Sequence, residues 1–119
     1  MSIQILSQSA TLSPLNDQGV VGRPLSEPPC RMRGLDITLA GAGNNGCGLW
    51  ECNPGRFERQ IAEAEVMHIL SGICSFTPTG GEPLEITAGD TLFFPANTTG
   101  VWHIRETLRK VYVVFASQA

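Results

Sequence analysis

Lysine is almost absent from this chain. Of eight basic residues only Lys110 is a lysine, and the net charge over 119 residues is −3. With no basic stripe to meet a phosphate backbone, nucleic-acid binding is excluded. Histidine is scarce too. His68 and His103 are the whole supply, so a centre built on three imidazoles is out of reach within one subunit. No apolar run approaches the ~18 residues of a membrane span, so no membrane partner is expected. Met1 to Ala10 hold no basic residue ahead of an apolar stretch, which predicts a cytoplasmic protein without a secretory signal. Cys30, Cys47, Cys52 and Cys74 lack the paired spacing of a zinc site and read as reduced thiols. What remains is 42% apolar residues, enough for a core, cut up by 13 glycines and eight prolines. Punctuation that dense predicts one domain of many short strands.

The first third is the least regular. Pro14, Pro24, Pro28 and Pro29 fall among Ser, Gly and Asn, so residues 1–34 are expected to form an extended or partly disordered arm. Residues 35–119 are expected to form the folded domain. Strands are predicted over 34–39, 49–52 and 56–61, then 65–70 and 73–77 hinged at Ser71-Gly72. Residues 84–87, 91–94, 100–105 and 110–115 complete the set, with Gly80-Gly81 in a hairpin connection. Residues 59–70 contain good helix formers, but the Ser71-Gly72 break and the β-rich sequence beyond it favour strand from Glu65. Strands at this spacing suggest an antiparallel sandwich or barrel.

Four segments in order resemble the cupin superfamily, the double-sheet jelly rolls. Glu65 to Gly72 resembles the end of the first cupin motif, and Gly89 to Pro95 the opening of the second. Leu49 to Phe57, together with Thr99 to Ile104 and Thr107 to Tyr112, resembles a particular subgroup. It contains the cupin domain of (S)-ureidoglycine aminohydrolase and the ethanolamine-utilisation cupins. The resemblance spans roughly Cys47 to Phe115. It implies an all-β, cupin-type antiparallel jelly-roll barrel with the arm outside it, and a homodimer.

The resemblance breaks at the metal. Metal-dependent cupins use two histidines and a glutamate from the first motif and a histidine from the second. Counting from Gly72, the glutamate position is Glu65, and the histidine pair falls on Arg59 and Ile61 or on Glu58 and Gln60. Counting from Gly89, the last ligand position is Gly100. A lone carboxylate does not hold a transition metal tightly, so neither a metal nor any other cofactor is expected.

Chemistry must then come from side chains. Glu65 is the inward carboxylate of the motif, and Lys110 and Tyr112, two apart on a strand, share a face. These three are the candidate catalytic residues. A desolvated lysine can act as base, Schiff-base nucleophile or anion anchor; the plainer reading is a Glu65–Lys110 pair satisfying two buried charges. Trp50, Trp102 and Met67 are candidates for the pocket wall, although large apolar residues are commonly just core. Arg59 is a candidate for gripping a substrate carboxylate. Glu63 is expected on the face of Glu65 and is a further substrate-binding candidate, with His68 on the opposite face. Two functions fit: an enzyme on a small polar metabolite, of the amino- or ureido-acid kind implied by the resemblance, or a non-catalytic binding or accessory protein. Whether the chain is an enzyme stays open between them.

Overall fold

The computed structural model describes residues 2–117. They form β1 (Asn16–Val20), β2 (Arg31–Ile37), β3 (Gly46–Cys52), β4 (Gly55–Ile61), β5 (Glu65–Pro78), β6 (Leu84–Thr87), β7 (Thr91–Phe94) and β8 (Thr98–Val114). Among the described residues there is no helix, and hence none long and apolar enough to cross a membrane.

Two long strands organise the rest. β5 and β8 run antiparallel along their whole length. The first half of β8 also pairs with β4, and its second half with β3. On the other side of β5, β7 borders the first half and β6 the second. β2 and β1 extend the layer beyond β3. The outcome is two antiparallel layers, β1-β2-β3-β8-β5-β7 and β4-β8-β5-β6, closed on each other as a jelly roll.

The strands pass from one layer to the other without a turn. Register shifts between Ile69 and Cys74 bend β5, as bulges do. Gly72 lies at the bend with φ +103°, and a Cβ there would meet the Thr107 carbonyl oxygen and sit 2.7 Å from Leu108 Cα. The expected pairs of strands at 65–70 with 73–77, and at 100–105 with 110–115, are thus two continuous bent strands. β6 and β7 match expectation residue for residue, and β5 does begin at Glu65.

Alternation along the strands fills the barrel. From β5, Met67, Ile69, Cys74 and Phe76 point inward with at most 1% of their surface exposed. Phe76 packs edge-on against Trp102 and Phe94, ring centroids 4.8 and 5.1 Å apart. Such buried side chains contribute roughly 1.5–3 kcal/mol each.

The first third is more ordered than an arm. β1 and the start of β2 lie within residues 1–34, and Val21 and Cys30 are core residues, so the expected boundary at 34/35 falls inside β2. Pro24 bridges to Phe57. Prolines and glycines obscured the short β1, which has a bulge between Asp17 and Gly19. The segment before β1 lies against the outside of the sheet. There Arg109 Nη1 donates to the carbonyls of Ser9 and Leu12, both at 2.9 Å, and its guanidinium is bonded to Glu51.

Candidate functional site

Four strands, β3, β4, β5 and β8, wall one cavity of about 150 Å³, lined by Trp50, Phe57, Arg59, Ile61, Glu65, Trp102, Lys110, Tyr112 and Val114. Period-two alternation brings Lys110, Tyr112 and Val114 to one face of β8, while Arg109 and Val111 face out. Trp50 stands directly across from Lys110 on β3. Phe57, Arg59 and Ile61 are the inward positions of β4, leaving Glu58 and Gln60 outside. Of the two alignments of the histidine pair, Arg59 with Ile61 is therefore the inward one.

At the centre, Lys110 Nζ donates to Glu65 Oε2 at 2.9 Å, with side-chain exposures of 11% and 10%. The same nitrogen lies 3.6 Å from Met67 Sδ. It also sits 4.8 Å from the centroid of the Trp50 ring, 5.8 Å from Tyr112 and 5.9 Å from Trp102. The ammonium is thus enclosed by one carboxylate and three aromatic faces, the setting in which cation–π attraction is strongest. Burial nonetheless dominates and lowers the Lys110 pKa from its ordinary 10.5, the attraction of Glu65 only partly offsetting it.

Tyr112 lends the cavity its ring but not its hydroxyl. The Oη donates to Asp36 Oδ1 on β2 at 3.1 Å, through a gap left by Gly48, whose added Cβ would stand 3.0 Å from that oxygen. Burial first, and the Asp36 carboxylate second, push the phenol up to about 12. Tyr112 is therefore poorly set to exchange protons with Glu65, contrary to its expected catalytic part. Its pairing with Asp36 left no trace in the sequence.

Arg59 borders the cavity while remaining exposed, and among the described residues no carboxylate pairs with its guanidinium. It also borders an outer groove of about 520 Å³. Met67 lies beneath Lys110, fully buried. Glu63 does not share the face of Glu65: residues 62–64 bend ahead of β5, and Glu63 accepts from the Ser117 amide. His68 is on the outer face, hydrogen-bonded to Thr91. Phe57, Ile61 and Val114 were not expected from sequence to line the pocket, although they share the parity of Arg59 and of Lys110.

The residues do not suit the metal of the wider superfamily. The one carboxylate in position, Glu65, is held by an ammonium that would repel a cation. A side chain at Gly100 would meet the Thr77 carbonyl and sit 2.6 Å from the Phe76 ring, so no imidazole fits there without repacking the core. Among the described residues, no three His, Cys, Asp or Glu side chains converge as metal ligands. Elsewhere in the interior, burial pushes the Cys74 thiol up to about 12 and the Cys52 thiol higher, which keeps both protonated and unreactive.

Comparison with known proteins places this geometry. A protein of unknown function of the DUF861 family from Pseudomonas syringae pv. tomato superposes with a TM-score of 0.76 at 23% identity, over 87% of this chain. The chain spans only 45% of that protein's length. The Clostridium difficile EutQ protein superposes with a TM-score of 0.66 at 19% identity, over 84% of this chain and 82% of that one. A DUF861 family protein from Thermotoga maritima is 30% identical, over 56% of this chain and 76% of its own, with a TM-score of 0.55. A comparison with curated proteins finds no match. The sequence model of the EutQ-like cupin domain matches residues 39–112, which takes in every cavity residue except Val114, and the chain belongs to that family.

Proposed function

We propose that the barrel cavity binds a small carboxylate-bearing metabolite, of the amino- or ureido-acid kind, without a metal. The observation that carries this reading is an arginine with no carboxylate partner among the described residues, bordering a small cavity whose two other charges already neutralise each other. With Lys110 matched by Glu65, Arg59 leaves the site one positive charge in excess. A ligand carboxylate supplies the missing anion and fits the guanidinium fork. Size narrows the class: a cavity of about 150 Å³ holds a molecule of benzene's bulk, roughly six non-hydrogen atoms. Trp50 and Trp102 offer apolar ring faces to the rest of the ligand. Binding is common to both the enzymatic and the accessory reading, so the carboxylate site is the part proposed here.

Titration calorimetry with glycine and glycolate, each against its neutral amide, tests the reading. Saturable binding of the acids alone is expected, and Arg59→Gln weakens it roughly tenfold to hundredfold, the value of one charged hydrogen-bonding partner. Equal binding of acids and amides, or no effect of Arg59→Gln, contradicts it. A cytoplasmic homodimer belongs to the same proposal, and sedimentation giving a one-chain mass at micromolar concentration would exclude the dimer.

A further inference from the structure

The chain keeps its sole lysine inside the barrel, where lysine is rarely found. A structural pair needs only an opposite charge; this lysine also borders the one cavity that holds Arg59, Glu65 and both tryptophans. A two- or three-carbon acid gripped by Arg59 from within this cavity can extend toward Lys110, which lines the same small space. The atom it presents beside its carboxylate then lies next to an amine and a carboxylate base 2.9 Å apart. Resting on the carboxylate-site reading above, we propose that the ligand is a small 2-oxo acid and that Lys110 captures its carbonyl as an imine.

The step balances with the groups present. Glu65 accepts a proton from the Lys110 ammonium, and the freed lone pair attacks the carbonyl carbon. The carbonyl π pair moves to oxygen, which takes a proton from the new C–N nitrogen to give a neutral carbinolamine. Glu65 returns its proton to the hydroxyl, which leaves as water while the nitrogen lone pair forms the C=N bond. One ammonium and one carbonyl become one protonated imine and one water, with no change of oxidation state. Two surroundings favour it: burial that disfavours the charged amine, and aromatic faces that suit the delocalised iminium. Glu65 is the proton carrier and Arg59 the positioning residue.

A single lysine makes the test clean. The full-length protein is incubated with glyoxylate and cyanoborohydride, and peptide mass mapping locates the reduced adduct. The expected result is a carboxymethyl group on Lys110 that saturates with glyoxylate and is competed by glycolate. Propanal, which has the carbonyl but no carboxylate, labels far more slowly. Glu65→Gln lowers the labelling rate by about a hundredfold, the scale of a lost general acid–base. Arg59→Gln, at an exposed position that folding does not need, raises the half-saturating glyoxylate concentration at least tenfold and keeps the proposal testable if Glu65→Gln misfolds. Labelling of the α-amino group alone, or equal labelling by propanal, overturns the proposal. Glycolate binding without any Lys110 adduct overturns the imine and leaves the carboxylate site standing. Absence of both overturns the two readings together.

Discussion

Lys110 and Glu65 carry the energetics of the interior as well as its chemistry. Each is about nine-tenths buried, and removing one partner strands the other in an apolar setting. Glu65→Gln and Lys110→Met are each expected to cost about 3–5 kcal/mol by chemical denaturation. The double substitution is expected to cost clearly less than their sum, because it leaves no orphan; additive costs would show that the two charges do not interact. Tyr112 offers a second residue-level prediction, since it is the sole tyrosine. Its phenol titrates at about 12 in the fold against an ordinary 10.0. The neutral form is therefore the one the fold favours, and that stabilisation is full below pH 10 and lost as pH rises toward 12. Lys110, shifted the other way, makes stability rise with pH below its ordinary 10.5 and stay level above it, so the loss above that pH belongs to Tyr112. Ultraviolet titration is expected to show one transition near pH 12, lowered in Asp36→Asn; a midpoint at the ordinary value would contradict the Asp36 contact.

At the level of elements, the bend of β5 across β8 is what brings residues of both layers to one cavity. Gly72→Ala adds a methyl against the Thr107 carbonyl at a positive φ. It is expected to destabilise by roughly 2 kcal/mol or more, whereas Gly46→Ala, with open space around it and no positive φ, serves as the neutral control. Thermal melts compare the two. Much of this was legible beforehand. Period-two alternation located β4, β6 and β7, and parity put Lys110 with Tyr112 and His68 opposite Glu65. Other features were not legible for physical reasons. A bulge bends a strand without turn residues, so β5 and β8 each read as two strands. Glu63 keeps the parity of Glu65 in sequence, but alternation means nothing across the bend at residues 62–64. The Asp36–Tyr112 contact depends on β2 reaching over Gly48, and the docking of residues 9–12 on Arg109 depends on carbonyl groups that any sequence supplies.

For the whole molecule, the two layers act as a rigid frame around a small charged cavity, with the N-terminal segment packed outside it. Fold alone does not assign chemistry; the proposed site depends on Arg59, unpaired among the described residues, beside a balanced Glu65–Lys110 pair. The two tryptophans of the chain both line that cavity, which provides an internal reporter of its contents. The most direct measurement is the NMR spectrum of the Trp50 and Trp102 indole N–H groups during titration with glycolate. Both resonances are expected to move together and saturate with one affinity, and to respond at least tenfold more weakly in Arg59→Gln. Indole signals that stay fixed while other resonances shift, or that shift equally in Arg59→Gln, would contradict a carboxylate site inside the barrel.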